Sequence, residues 1–222
     1  MSAVLLAVLR PKADDIDDFF TWYEAEHVTG RLAMPGFLDA HRYVSEDDHD
    51  MGLLIYDLES LDALSTEAYR ALQGRTAATT QTRMGGLDQF VRVTGDVIQE
   101  HGDVKTGAPL LFVVAFSAPR SDLNELDAWY REEHAPMLLK AAAWRGVSLV
   151  DVTESNTPWT RVAIHRLADA SALESPERRA AGETLRRQQL AARPWFNAST
   201  RYTVRAVDRL NPASRNRQTG KC

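Results

Sequence analysis

The chain alternates between short apolar runs and longer stretches in which apolar residues return every three or four positions. The first run, Val4-Leu5-Leu6-Ala7-Val8-Leu9, has the length and character of a buried strand. A helix is predicted from Asp14 or Asp15 to Val28. Acids crowd its first turn, where the macrodipole favours them, and Ile16, Phe20, Tyr23 and His27, spaced 4, 3 and 4, share one face. Met34-Pro35-Gly36 closes that region. Strands are then predicted from Phe37 to Val44 and from Gly52 to Leu58, a second helix from near Ser65-Thr66-Glu67, and a fourth strand at Phe90-Val91-Arg92-Val93-Thr94.

The same pattern then recurs. Trp22-Tyr23-Glu24-Ala25-Glu26-His27 returns as Trp129-Tyr130-Arg131-Glu132-Glu133-His134, 107 residues later. Leu111-Phe112-Val113-Val114-Ala115-Phe116 precedes the second motif at the offset of the first apolar run. Leu123, Asp127, Tyr130 and His134 repeat the helical face with one acid in place of an apolar residue. Thr160 to Leu167 resembles the third strand, and Leu167 and Leu173 match Leu58 and Leu64 at offset 109, so a loop has gained two residues. The second helix of this half has a sharper start, with Ser175 as N-cap, Pro176 at the first helical position and Glu177 in the first turn. Thr200 to Val207 alternates like a closing strand. The order β-α-β-β-α-β, written twice, predicts an α+β fold of two tandem ferredoxin-like units, residues 1–106 and 107–210. Each sheet has both helices on one face, so the bare faces are expected to pack sheet to sheet as an intramolecular α+β barrel. Residues 99–108 are the expected linker, and the polar 211–222 an expected disordered tail.

Composition narrows the class. Hydrophobic content of 44% and charged content of 26% fit a soluble globular protein, and no apolar run is long enough for a membrane helix. The first apolar run lacks a basic leader and a cleavage site, so it reads as a strand and not a signal peptide. The single Cys222 cannot form an internal disulfide, which suits a reducing, cytoplasmic setting. Residues 1–107 carry net charge −10 and residues 108–222 carry +5, favouring docking of one half on the other. The basic half lacks interleaved aromatics, so nucleic acid is not an expected partner. Arg178, Arg179, Arg186 and Arg187 read as a solvated helix face. Met84-Gly85-Gly86 reads as a turn without phosphate-loop spacing, and no Cys pair or H-x-x-x-H points to a metal.

Trp-Tyr-x-x-Glu-His, followed by Met34-Pro35-Gly36 and by His41-Arg42-Tyr43 on a strand, resembles the EthD-like branch of the dimeric α+β barrel superfamily, which includes 4-methylmuconolactone methylisomerase. Such proteins build the barrel from two chains, so this one resembles a tandem-fused version, either a monomer with an internal pseudo-dimer or a homodimer of it. The resemblance implies a catabolic, cofactor-independent enzyme of isomerase, cyclase or lyase type acting on a carbonyl-bearing cyclic or aromatic compound. His27 would be its acid/base, assisted by Tyr23 and His41, with Trp22, Glu26, Arg42 and Tyr43 around the substrate. A position near a helix end beside Glu26 favours protonated His27. Trp22 and Trp129 also suit core anchors, and Glu26 and Glu133 lie within helical reach of them. His41 and Arg42 must point to opposite sheet faces. Trp129, Tyr130, Glu133 and His134 are the second-half equivalents. They are expected to be the weaker site, because Ala141-Ala142-Ala143 and Leu149-Val150 replace Met34-Pro35-Gly36 and Arg42-Tyr43. Two other readings remain open: a non-catalytic binding or accessory protein, and a haem- or oxygen-dependent monooxygenase, since one superfamily branch binds haem through a histidine.

Overall fold

The structure is a computed structural model that describes residues 2–104 and 107–207; the expected tail at 211–222 lies outside them. Eight strands are present: β1 (Ala3–Pro11), β2 (Phe37–Ser45), β3 (Gly52–Leu58), β4 (Leu87–Gly102), β5 (Leu110–Phe116), β6 (Trp144–Ser155), β7 (Arg161–Leu167) and β8 (Thr200–Ala206). They form one closed antiparallel barrel in the order β1-β3-β2-β8-β5-β7-β6-β4. Each half contributes four neighbouring strands in the ferredoxin-like order, β4-β1-β3-β2 and β8-β5-β7-β6. The sheets face each other across the interior and are also joined at their edges. β2 pairs with β8, and β4 pairs with β6. Closure leaves no free edge among the described strands.

Strand alternation divides the core into three. Val4, Leu6 and Val8 point into the barrel and meet Val113, Val162, Ile164 and Val204 from the other half. Leu5, Ala7 and Leu9 point outward, under the helices of the first half. The second half has its own helix–sheet core around Leu126, Trp129, Trp144 and Leu190. The expected linker is largely strand: β4 runs to Gly102 because Gln99, Glu100 and His101 pair with Leu149, Ser148 and Val147.

Helix α1 covers residues 16–32 and α2 is Glu67–Met84. In the second half, α3 covers 120–138. The counterpart of α2 is broken into α4 (Pro176–Gly182), α5 (Leu185–Ala191) and α6 (Pro194–Asn197). Ser175 and Thr184 accept from Arg178 N and Arg187 N, so each of α4 and α5 has its own side-chain cap. α1 and α3 each run about a turn beyond the predicted helical face, and each has a π-helical turn inside it.

The opposite charges of the halves meet at one seam, where Arg205 on β8 grips both carboxylate oxygens of Glu46 at 2.8 and 2.9 Å. The pair is exposed, so it orients more than it stabilises. Met34-Pro35-Gly36 makes the tight turn into β2. Gly36 has φ +83°, and a Cβ there would lie 2.7 Å from Ala63 Cβ. Gly36→Ala is therefore expected to lower stability by about 2 kcal/mol, read as a reduced urea midpoint at unchanged slope. A wild-type midpoint would refute this account of the turn.

Candidate functional site

The repeated motif occupies a π turn in both halves, Tyr23–Val28 and Tyr130–His134. The wider turn brings the residues four and five positions earlier beneath the histidine together. His27 lies 4.3 Å from the Tyr23 ring and 5.6 Å from Trp22, between ring centroids. His134 lies 5.2 Å from Tyr130 and stacks on Trp129 at 4.0 Å and 22°. The Trp22 indole N–H donates to Glu26 Oε2 and that of Trp129 to Glu133 Oε1, each at 3.2 Å. Glu26 and Glu133 thus share a structural task, satisfying a largely buried indole.

In the first half, a cavity of about 250 Å³ lies between the sheet and the helices. Tyr23, His27 and Arg31 of α1 line it, with Leu5, Ala7, Phe90 and Arg92 of the sheet and Gln81 and Met84 of α2. Trp22 and Glu26 line a separate recess of about 60 Å³ on another side of His27. His27 is buried, and desolvation, then the Arg31 charge, lowers its pKa to about 3. This corrects the expected protonated state: removal from water outweighs Glu26 and the helix end. Burial likewise raises the Tyr23 pKa.

The structure does not bring His41, Arg42 or Tyr43 to this cavity. His41 and Tyr43 face the barrel interior with Asp57 and Arg166, on the opposite side of the sheet from His27, so His41 cannot assist it. His41 Nε2 is 3.2 Å from Asp39. Burial pushes the Tyr43 hydroxyl up to about 12. Arg42 is on the helix side, but it is held by Glu24 and covers the Phe20 ring at 4.8 Å.

The second half holds the larger cavity, about 520 Å³. Trp129, Tyr130 and His134 line it, as do Phe112, Phe116, Trp144, His165 and Phe196. The departures at Ala141–Ala143 and Leu149-Val150 fall outside its lining, so they do not close it. Burial, then Arg187 and Arg178, lowers the His134 pKa to about 3; burial, then His134 and Arg178, lowers that of His165 well below its usual value. Burial also raises the Tyr130 pKa. Among the described residues, four buried nitrogens have no hydrogen-bond partner: His134 Nδ1, Trp144 Nε1, and both Nδ1 and Nε2 of His165. Arg178, Arg179 and Arg187 line the cavity with Arg201. Arg178 and Arg179 are exposed, as a solvated helix face requires, and with the half-buried Arg187 they edge the cavity mouth; Arg186, paired with Glu132 at 2.9 Å, lies outside it.

Strand register exposes site residues that the motif search passed over. Arg92 pairs with Ala7 as Arg201 pairs with Val114, so the two arginines hold equivalent positions. The signal was present, since both sit at offset 109 in the closing strands. His165 occupies the register position of Tyr56, opposite Phe112 as Tyr56 is opposite Leu5. Both cavities therefore present a Tyr, a His and an Arg at matching places. Among the described residues, no group of three His, Cys, Asp or Glu side chains is placed to hold a metal ion, and no helix is long and apolar enough to cross a membrane.

No protein-family model and no curated protein sequence matches the chain. Solved structures do. The chain is similar to an anthrone oxidase-like protein, with TM-score 0.67 and 13% identity over 93% of this chain and 91% of that one. It is similar to a candidate chlorite dismutase, with TM-score 0.55 and 13% identity over 94% and 96%. A ferredoxin-fold protein from Listeria monocytogenes related to antibiotic biosynthesis monooxygenases matches with TM-score 0.51 and 10% identity over 94% and 95%. At these identities the likeness establishes the fold, a ferredoxin-like α+β barrel, and leaves function to the site.

Proposed function

We propose that the protein is a cofactor-independent enzyme of isomerase, cyclase or lyase type that moves protons on a carbonyl-bearing cyclic or aromatic compound. One observation carries this reading: both halves present Tyr, His and Arg at equivalent positions of a helix–sheet cavity, as Tyr23, the buried His27 and Arg92 and as Tyr130, the half-buried His134 and Arg201. A neutral imidazole can accept a proton from a carbon beside the carbonyl, leaving the electron pair as an enolate, and return the proton at another position. The arginine would stabilise the enolate oxygen, and the developing negative charge would offset the cost of charging a buried imidazole. The aromatic walls suit a flat ring. The likeness to an anthrone oxidase-like protein is compatible with a ligand of that shape.

The test is a thermal-shift screen of cyclic ketones, lactones and quinones, followed by turnover assays of the hits with His27→Asn, His134→Asn and the double variant. Losing the histidine that acts should lower kcat about a hundredfold with little change in thermal midpoint. Wild-type turnover by the double variant would sink the reading. Hits that bind but are never converted would favour a non-catalytic binder.

A second reading, a haem- or oxygen-dependent monooxygenase, is favoured by the unpartnered nitrogens of His165. They leave a free imidazole donor on the wall of the larger cavity, with arginines in the lining to meet carboxylates. Haem, when bound, would supply the oxygen chemistry. A Soret band on adding haem, lost in His165→Ala, would support this reading.

A further inference from the structure

We infer that the second-half cavity binds its cyclic ligand as an anion, with a carboxylate or an equivalent acidic oxygen among Arg178, Arg187 and Arg201 and a carbonyl toward Trp144 and His165. This deepens the proposed reading and rests on its choice of a cyclic carbonyl compound, but not on catalysis.

Two independent features of the cavity point to such a ligand. The first is its polar interior. His165 and Trp144 are 1% and 3% exposed, yet neither finds a partner for its ring nitrogens. Unpaired buried nitrogens cost free energy that a bound acceptor would recover. A carbonyl can take the Trp144 N–H and one imidazole N–H together, which a purely apolar ligand cannot do. In the first half Tyr56 stands where His165 does and Leu5 where Phe112 does; the Tyr56 hydroxyl is also unpartnered, but Tyr56 is not among the residues that line that cavity.

The second feature is an excess of positive charge. Arg178, Arg179, Arg187 and Arg201 line the same cavity against the one carboxylate Glu183, and among the described residues none of Arg178, Arg187 and Arg201 has a carboxylate within ion-pair distance, whereas Arg161, Arg186 and Arg193 of the same half all do. Arg178 and Arg187 instead lie over the Phe112 and Phe196 rings at 5.9 and 5.4 Å. Arg201 is close enough to help depress the pKa of Arg178, after burial. Guanidinium groups that outnumber the carboxylates around them and form no ion pair are suited to forked recognition of a carboxylate. The aromatic walls between the two polar zones fit a planar ring system.

The experiment is isothermal titration of the full chain with 9,10-anthraquinone-2-carboxylate and with its neutral 2-carboxamide, which differ in charge and little in shape. The carboxylate is expected to bind at least tenfold more tightly. Arg178→Gln and Arg201→Gln should each weaken it about tenfold while leaving the carboxamide unchanged. Arg186→Gln, on the same run but outside the cavity, should leave both affinities unchanged. Unliganded thermal midpoints check that the variants fold. Equal affinities for the two compounds, no binding of either, or carboxylate binding insensitive to Arg178 and Arg201 would each overturn the inference. Carboxylate bound as expected but never converted would overturn only the proton-transfer reading. Carboxamide bound as tightly and converted would overturn only the anion inference.

Discussion

Lowering the pH from 7 to 5 is expected to remove about 4 kcal/mol of folding stability through His27 and His134, roughly 2 kcal/mol each, with the buried His165 adding to the loss in the same direction. His27 and His134 have folded-state pKa values of about 3, and that of His165 is well below its usual value; burial is the first cause in all three. Above the unfolded-state value near 6.5, each is neutral in both states and contributes no pH dependence. Below it, the unfolded chain takes up a proton that the folded chain refuses, so stability falls with pH until the folded-state value is reached. The window for this loss therefore runs from about 6.5 down to about 3. Between pH 7 and 5 the carboxylates with depressed pKa values, such as Glu46 and Asp122, remain ionised in both states and add little. Asp57, raised by burial, works weakly in the opposite sense. A loss of this size is comparable with the whole stability of a typical domain. Urea unfolding at pH 7, 6 and 5 measures it, and replacing either His27 or His134 by Asn should remove about 2 kcal/mol of the loss, while replacing His165 should flatten the profile further. A wild-type profile flat over this range would show that the imidazoles can be charged in place, and it would remove the neutral-histidine basis of the proposed chemistry.

Much of the architecture was legible because it is written locally and twice. The alternation of Val4 to Leu9 sorts side chains between barrel and helices, and Ser175-Pro176-Glu177 opens α4 where the capping pattern puts it. The site was less legible, for three physical reasons. Trp22 to His27 has the same letters whether its turn is α or π; tertiary packing selects the wider turn, and that turn places Trp22 and Tyr23 together against His27. The charge state of His27 depends on desolvation by residues distant in sequence, which Glu26 and the helix end cannot reveal. The direction of Arg178 and Arg187 depends on the break between α4 and α5, which a continuous helical reading misses. His165 sits in an apolar strand and reads as a sheet residue until the cavity beside it is seen. Register also explains why His41 and His27, close in the motif, are separated by the whole thickness of the sheet.

Asp127→Ala is expected to cost about 3–5 kcal/mol, the most damaging single change outside the cavities. Asp127 is the acid that interrupts the apolar face of the second motif, at the position of Phe20 in the first. The reason lies on the neighbouring strand. Arg161 is at the register position of Gly52, opposite Phe116 as Gly52 is opposite Leu9. In the first half the Phe20 ring fills the space over Gly52, so that a Cβ there would lie 2.5 Å from its Cζ. In the second half Arg161 fills that space and donates from Nε and Nη2 to both Asp127 oxygens at 2.8 and 2.9 Å. Its side chain is only 7% exposed. Removing Asp127 would leave a buried guanidinium with the half-exposed Asp151 as its remaining carboxylate. The halves thus solve one packing problem in two ways, ring over glycine and carboxylate under arginine. Transplanting the first solution, Asp127→Phe with Arg161→Gly, should recover most of the loss, because an apolar replacement of a buried ion pair is often neutral or better. A double-mutant cycle by urea denaturation gives the coupling directly. An Asp127→Ala cost below about 1 kcal/mol, or single and double changes that simply add, would mean that Arg161 is solvated despite its burial and that the two packings are independent.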